Sequence, residues 1–162
     1  MTNFLPLVEK FHSLQGEGFH TGQSAFFIRL AGCNVGCSWC DTKYSWDKEK
    51  YPLIAIKEII DEIKKARKKG ASFLVITGGE PLHHYLDNLC QAINKETSKE
   101  RQEPINIHIE TSGVSEISGN YDWITLSPKR HLPPRRYFLK NCNELKIIIN
   151  DQKDIDLSLI HI

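Results

Sequence analysis

The chain has 162 residues, and its 21 Lys and Arg are balanced by 20 Asp and Glu, for a formal net charge of +1. A chain of this length can bury one hydrophobic core, which predicts a single domain. The balanced charge offers no extended field of one sign, so we expect neither nucleic acid nor a membrane surface as a partner. No apolar stretch approaches the roughly 20 residues that span a bilayer, and the first residues lack a secretion signal, so we expect a cytoplasmic protein.

The first predicted elements are a strand, a helix and a second strand. Residues 25–31 form a short apolar run, rich in aromatic and branched side chains, that predicts a strand. From Ile56 onward an i, i+3, i+4, i+7 stripe of isoleucines predicts a helix with one buried face, ending near residues 69–70. Residues 73–77 form a continuous apolar run before two glycines, which predicts a strand covered on both faces.

A second helix and three more strands are predicted further along. The buried stripe of that helix is predicted to contain Leu86, Leu89, Cys90 and Ile93. Residues 105–110 alternate between apolar and polar, and residues 123–126 and 145–149 are short apolar runs, so each segment predicts a strand. The polar residues 94–104 predict a helix end and a solvated loop. Strands that alternate with helices predict a parallel sheet with crossover helices.

Small and polar residues cluster just after four of the predicted strands, at residues 32–41, 78–81, 110–113 and 127–129. In sheets of this kind ligands bind at the carboxyl ends of the strands. These four clusters are therefore the candidate site.

Cys33, Cys37 and Cys40 lie within eight residues of one another. This crowding, in a chain with an odd number of cysteines, favours a metal or redox centre over a disulfide framework. Gly32 and Gly36 supply the backbone freedom to wrap a cubane iron–sulfur cluster. Three ligands for four irons leave one iron open, and an open iron can bind S-adenosylmethionine and cleave it to a radical.

Structural zinc is the alternative for these cysteines. Zinc requires four protein ligands, and the fourth could come from His12, His83 or His84. However, no Cys or His stands at a paired spacing that would complete a tetrahedral site.

Two motifs in order resemble the radical S-adenosylmethionine superfamily. The first is Cys-x3-Cys-x2-Cys with Trp39 before the last cysteine, and the second is Gly-Gly-Glu-Pro at residues 78–81. In that superfamily the glycine segment offers backbone groups to the methionine end of the cofactor, which requires residues without bulk. Taken alone, the glycine segment could equally be a turn before a helix.

Further segments resemble one family within it, the 7-carboxy-7-deazaguanine synthases. They are Phe-His-Ser-Leu-Gln-Gly-Glu-Gly at residues 11–18, residues 27–34, and Cys-Asp-Thr at residues 40–42, and the match extends to about residue 150. The resemblance implies an α/β fold, a partial (β/α) barrel of the radical S-adenosylmethionine type.

That family consists of lyases that rearrange 6-carboxy-5,6,7,8-tetrahydropterin into 7-carboxy-7-deazaguanine with loss of ammonia, a step toward queuosine and other deazapurines. The resemblance implies a 4Fe-4S cluster, S-adenosylmethionine and Mg²⁺ as cofactors. It also implies a small-molecule pterin substrate, an electron donor such as flavodoxin or ferredoxin, and a homodimer.

The resemblance assigns roles to individual residues. The cluster ligands are Cys33, Cys37 and Cys40, and the magnesium ligand is Thr42. The cofactor-binding residues are Trp39, Cys40, Asp41, Gly79, Ser112, Ser127, Pro128 and Lys129. The substrate-binding residues are Leu14, Gln15, Gly16, Arg29 and Thr77.

Arg29 lies in an apolar strand, where burying a guanidinium without a partner would be costly. The resemblance implies that its partner is the substrate carboxylate. The alternative is an arginine on the solvent-facing side of an edge strand.

The carboxyl end departs from the family pattern, because the family continues past residues 145–150 with further sheet. We therefore expect a C-terminally truncated chain. Residues 157–162, Leu-Ser-Leu-Ile-His-Ile, match the translation of a sequencing adaptor. This predicts a radical S-adenosylmethionine domain over residues 1–156 and a non-native tail over residues 157–162.

Two other functions stay open at this point. One is a radical enzyme that activates a protein partner, although residues 15–18 and Thr42 argue against it. The other is a non-catalytic module that binds zinc or an iron–sulfur cluster.

Overall fold

The computed structural model describes residues 3–98, 104–149 and 151–160. The strands are β1 (Phe4–Leu14), β2 (Ser24–Leu30), β3 (Leu53–Ala55), β4 (Phe73–Gly78), β5 (Asn106–Thr111), β6 (Trp123–Leu126) and β7 (Glu144–Leu145). The helices are α1 (Ile56–Lys68), α2 (Asp87–Ser98), α3 (Arg136–Asn141) and α4 (Gln152–Ile160). The described strands form one sheet in the order β3-β1-β2-β4-β5-β6-β7.

The sheet is mixed, so the prediction of a parallel sheet is correct only for its larger part. Strands β2, β4, β5, β6 and β7 run parallel, whereas β1 is antiparallel to both β2 and β3. Residues 15–23 alone connect β1 to β2. A connection this short makes a hairpin and cannot carry the chain back for a parallel pairing.

Helices α1 and α2 pack on one face of the sheet, here called the outer face. The isoleucine stripe of α1 is buried as predicted, as are Leu89, Cys90 and Ile93 of α2 and Leu86 directly before it. They pack on Ile28, Ile76 and Ile109, which come from neighbouring strands, and form the main core. This burial confirms the helical periodicity that the sequence predicts.

The opposite face of the sheet, here called the inner face, carries a smaller apolar cluster of Phe27, Phe73 and Val75 near the amino ends of the strands. Toward the carboxyl ends, side chains on the same face become polar. The inner face therefore has an apolar base and a polar upper half.

The strand predicted at residues 145–149 is wrong over most of its length. Strand β7 ends at Leu145, and only one further pairing, from Lys146 N to Leu126 O at 2.8 Å, continues it. Ile148 and Ile149 are 44% and 51% exposed, so their apolar character reflects no burial here. At the other end of the sequence, the whole of β1 was not predicted.

Helix α4 continues across the boundary between residues 156 and 157, where the predicted domain ends and the predicted tail begins. The separate origin of residues 157–162 stays a prediction, and residues 161–162 lie outside the described part of the chain. The first half of the predicted polar segment, residues 94–98, forms the last part of helix α2. Residues 99–103 lie outside the described part of the chain.

Among the described helices, none has the length and apolar character required to cross a bilayer.

Candidate active site

A cavity of about 460 Å³ lies at the carboxyl ends of β2, β4, β5 and β6. Cavities of this size hold cofactors and small substrates. All four clusters predicted for the site contribute to its walls. The predicted site residues that line it are Arg29, Cys33, Cys37, Trp39, Cys40, Asp41, Thr42, Thr77, Gly79, Ser112, Ser127 and Lys129.

The loop that carries the three cysteines follows β2 and is fixed by backbone hydrogen bonds. Gly32 N donates to Ser45 O at 2.7 Å, and Cys33 N donates to Trp46 O at 3.1 Å. Within the loop, Cys40 N donates to Cys37 O at 3.2 Å. These bonds hold the loop across one side of the cavity.

The surroundings of Cys33 and Cys37 disfavour their negatively charged thiolate forms unless a positive charge lies nearby. Burial raises the pKa of Cys33, and Glu80 and the two other thiols add to the increase. Burial also raises the pKa of Cys37, although Lys129 opposes that increase. Thiolates are the form that binds metal, so three of them in this wall need cationic partners such as the irons of a cluster.

The donor set fits a cluster better than zinc. In the part of the chain that the structure describes, no three His, Cys, Asp or Glu side chains converge closely enough to ligate a single ion. A cubane cluster does not require the three thiolates to converge on one ion, because each thiolate binds a separate iron. His84 Nε2 lies 2.7 Å from Ala31 O and His12 Nε2 lies 2.7 Å from Ser24 Oγ, and neither histidine lines the cavity.

Gly79 brings the end of β4 directly against the cysteine loop. A Cβ atom at this position would lie 2.6 Å from Gly32 O and 2.8 Å from Cys33 Cβ. Any side chain would therefore displace the loop, and only glycine fits. The close approach leaves a cradle of backbone groups beside the thiols, which suits the polar end of a cofactor.

Glu80 is a buried carboxylate that ties the ends of β4 and β5 together. The residue is 1% exposed. Thr111 Oγ1 donates to its Oε1 at 2.6 Å, and Ser112 N donates to its Oε2 at 2.8 Å. The Ser112 hydroxyl also bonds Oε2, and Leu82 N donates to Oε1 at 3.1 Å. Ser112, predicted to bind cofactor, is thus held in place by Glu80.

Lys129 and Ser127 meet on the opposite side of the cavity. Lys129 Nζ donates to Ser127 Oγ at 2.7 Å. Burial lowers the pKa of Lys129, while Cys37 acts in the opposite direction. Pro128 is buried between them and does not line the cavity. The pair offers an ammonium and a hydroxyl to a ligand carboxylate or sugar.

Trp39, Asp41 and Thr42 contribute to the cavity from the end of the cysteine loop. Trp39 is 37% exposed and meets His131 edge-on, with 5.9 Å between ring centroids. Thr42 Oγ1 lies 3.5 Å from Cys40 Sγ. The hydroxyl and the Asp41 carboxylate are oxygen ligands of the kind that hard cations prefer.

Arg29 lies on the inner face and has a protein partner. Its Nε donates to Glu9 Oε1 at 2.6 Å. The alternative of an edge-strand arginine is wrong, because β1 and β4 flank β2 on both sides. Burial alone therefore does not demand a ligand carboxylate, since Glu9 already compensates the charge.

Glu110 joins two predicted substrate residues. Thr77 Oγ1 donates to Glu110 Oε2 at 3.0 Å, and Gln15 Nε2 donates to Glu110 Oε1 at 3.4 Å. All three side chains point toward the inner face, where Glu110 and Thr77 border the large cavity. Gln15 instead lines a small neighbouring cavity of about 10 Å³.

The loop of residues 15–23 between β1 and β2, here called the hairpin loop, covers the base of the inner face. Glu17 pairs with Lys146, and Phe19 stacks on Trp123 with 5.3 Å between ring centroids. His20 packs on His108 at 4.7 Å. Burial lowers the pKa of His108 to about 4, so the His108 imidazole is neutral near pH 7.

Two predicted substrate residues, Leu14 and Gly16, line neither the large nor the small cavity. Leu14 is 61% exposed at the end of β1, and Gly16 is exposed in the hairpin loop. Neither lines the cavity, although both adjoin Gln15 in the chain.

Glu9 and Lys146 were not predicted from the sequence, and Glu110 was predicted only as part of the cluster of residues 110–113. The sequence does indicate the position of Glu110, because it lies two residues after His108 in β5 and therefore on the same polar face of the strand. Glu9 and Lys146 gave no such signal, since their partners lie far away in the sequence.

Comparisons with known proteins agree with this geometry. The profile of the Radical SAM superfamily matches residues 27–128. A 7-carboxy-7-deazaguanine synthase from Prochlorococcus marinus is 54% identical over 155 residues, which cover 96% of this chain and 69% of that protein. A synthase of the same name from Synechocystis sp. is 43% identical over 156 residues, covering 96% and 70% of the two chains.

A solved structure agrees with the fold. The crystal structure of QueE from Escherichia coli superimposes with a TM-score of 0.84 at 32% sequence identity, covering 97% of this chain and 75% of that chain. Sequence identity, fold and the residues that line the cavity all indicate the same family. The chain therefore belongs to the 7-carboxy-7-deazaguanine synthase family of the radical S-adenosylmethionine superfamily.

Proposed function

We propose that the chain converts 6-carboxy-5,6,7,8-tetrahydropterin into 7-carboxy-7-deazaguanine with release of ammonia, as a step in queuosine and deazapurine biosynthesis. The observation that carries this proposal is one cavity that unites three cysteines with the carboxyl ends of the parallel strands. Its support is the 54% identity to a synthase of that name. The class of enzyme is a radical S-adenosylmethionine lyase.

Cys33, Cys37 and Cys40 are the residues that would hold a 4Fe-4S cluster. When bound, the cluster and S-adenosylmethionine supply a carbon-centred radical that abstracts a hydrogen atom from the substrate. The residues of this chain bind and orient the two molecules and exclude water from the cavity. The proposed cofactor-binding residues are Trp39, Cys40, Asp41, Gly79, Ser112, Ser127, Pro128 and Lys129.

Substrate binding is proposed for Arg29, Thr77 and the segment of Leu14, Gln15 and Gly16. Arg29 supplies a planar cation for a carboxylate, and the Gln15 amide can both donate to and accept from a pterin edge. Their support is that Arg29 and Thr77 both line the large cavity, and that Thr77 and Gln15 both donate to Glu110.

The remaining assignments rest on the family resemblance and on the sequence. We propose that Thr42 ligates Mg²⁺ together with substrate oxygens and water, which suits an octahedral hard cation. We also propose a cytoplasmic homodimer that takes electrons from a flavodoxin or ferredoxin. The domain is proposed to occupy residues 1–156, with residues 157–162 as a non-native tail.

Product formation tests the function directly. The full chain is reconstituted with iron and sulfide without air, then supplied with reductant, S-adenosylmethionine, Mg²⁺ and carboxytetrahydropterin. We expect 7-carboxy-7-deazaguanine, identified by mass spectrometry and ultraviolet absorbance.

Two cysteine variants make a matched pair for this assay. Cys37→Ser should abolish product, because it removes a thiol from the cavity wall. Cys142→Ser should retain it, since Cys142 lies after α3 and does not line the cavity. A wild-type protein that carries a full cluster and cleaves S-adenosylmethionine, but forms no deazaguanine, would overturn the proposal.

A further inference from the structure

A shift of register in β1 changes which face its side chains occupy. Leu7 pairs with Leu30 and belongs to the outer core. With strict alternation Glu9, two residues later, would lie on the same face as Leu7. The pairing shifts by one residue between them, so Glu9 instead stands opposite Arg29 on the inner face.

The residues after the shift keep the new phase. Phe11 stacks on Phe27 of the inner face, with 5.0 Å between ring centroids. Bulges of this kind bend a strand and re-aim side chains, and they are frequent beside active sites. The bulge therefore places the Glu9 carboxylate on the inner face, opposite Arg29 of β2.

The contact leaves most of the guanidinium available. Arg29 Nε donates to Glu9 Oε1, and the side chain of Arg29 is 18% exposed while that of Glu9 is 42% exposed. No second acceptor for Arg29 occurs among the described residues, and Arg29 lines the large cavity. Its two terminal nitrogens can therefore form a bidentate pair with another carboxylate.

Among the described residues, Arg29 forms an ion pair with Glu9 and none with Glu110. Glu110 instead accepts hydrogen bonds from Thr77 and Gln15. Glu9 thus holds the guanidinium at Nε, while Arg29 also lines the large cavity.

We propose that Glu9 is a positioning residue that aims Arg29 at the substrate carboxylate and so sets the preference for carboxylated pterins. This inference rests on the proposed function. The Glu9 carboxylate holds the long arginine side chain in one conformation, so its fork is already oriented when substrate arrives.

If Glu9 positions Arg29, Glu9→Gln should change the affinity for the carboxylated ligand in the direction opposite to that expected from charge alone. Glu9→Gln removes a negative charge near an anionic ligand, which on charge alone would tighten binding. Loss of positioning should instead weaken binding of 6-carboxypterin about tenfold, with unsubstituted pterin affected less than about twofold. In turnover, KM should rise by a similar factor while kcat changes less than about threefold.

The measurement is fluorescence titration of the cluster-reconstituted full chain, without air, with 6-carboxypterin and with pterin. Arg29→Gln should abolish the preference for the carboxylated ligand. Glu62→Gln is the matched control, because Glu62 pairs with Lys10 of the same strand at 3.4 Å but does not line the cavity. Glu9→Asp keeps the charge on a shorter side chain and should fall between wild type and Glu9→Gln.

The outcomes separate this inference from the proposed function. A wild-type chain without preference for 6-carboxypterin contradicts the proposed role of Arg29, and with it the proposed function. A wild-type preference that survives in Glu9→Gln, or grows, contradicts the role of Glu9 alone. Equal weakening of both ligands by Glu9→Gln and Glu9→Asp would assign Glu9 a purely structural role.

Discussion

Glu80 shows how one buried side chain can organise an active site. Four donors from Leu82, Thr111 and Ser112 surround its two oxygens. Burying a carboxylate is costly unless hydrogen bonds replace its hydration, and here they do. The residue consequently fixes the ends of β4 and β5 where both border the cavity.

Truncation of Glu80 should be strongly destabilising. Glu80→Ala leaves the buried donors of Thr111 and Ser112 without an acceptor and opens a small cavity, so unfolding free energy should fall by about 3 kcal/mol. Urea denaturation followed by circular dichroism measures this loss. Glu62→Ala on the surface of α1 is the control and should cost less than about 1 kcal/mol. Equal losses in the two variants would contradict the role of Glu80.

Residues whose partners are close in sequence could be predicted. The three cysteines lie in one short loop, and Gly79 directly follows an apolar strand, so spacing alone located them. Glu9 is different, because its role depends on a register shift that only the paired strand reveals. Lys146 likewise becomes meaningful only through its contact with Glu17.

At the scale of elements, the hairpin loop of residues 15–23 is the connection that closes the base of the inner face. Two backbone hydrogen bonds close its neck, Gln15 N to Gln23 O and Gly22 N to Gln15 O, both at 2.8 Å. Its far end is held by β7, since Phe19 N donates to Glu144 Oε2 at 3.3 Å. A Cβ on Gly18 would overlap the Glu144 carboxylate, so the loop packs tightly there.

Lys146→Met should release this loop. The variant removes the cation that pairs with Glu17, and a pair of this exposure contributes about 1 kcal/mol. Cleavage after Glu17 by a glutamyl-specific protease should then be about fivefold faster, because local opening becomes more frequent. Lys140→Met on α3 is the control and should leave the rate unchanged. An unchanged rate in Lys146→Met would show that the pair does not hold the loop.

Element prediction succeeded where periodicity was regular and failed where it was interrupted. The stripes of α1 and α2 and the apolar run of β4 located those elements to within a few residues. In β1 the bulge breaks the alternation, so no single phase runs through the strand and it was not predicted. At residues 146–149 the apolar run lacks a neighbouring strand in the described sheet, and hydrophobicity alone does not make a strand.

Across the whole molecule, the two faces of the sheet have different roles, because one contains most of the hydrophobic core and the other contains the cavity. The outer face buries the main core under α1 and α2. The inner face contributes only a small apolar cluster at its base and leaves its upper half polar. The family resemblance was needed to predict a partial (β/α) barrel, because strand and helix order alone also fits an open parallel sheet.

The proposed chemistry depends on three thiols of one cavity, Cys33, Cys37 and Cys40, holding an iron–sulfur cluster with an open iron. The most direct measurement is iron, sulfide and zinc analysis of the anaerobically reconstituted chain, with electron paramagnetic resonance of the reduced protein before and after S-adenosylmethionine. We expect about four irons and four sulfides per chain, and a spectrum that changes when S-adenosylmethionine is added. One tightly held zinc with no iron, or a cluster spectrum indifferent to S-adenosylmethionine, would contradict it.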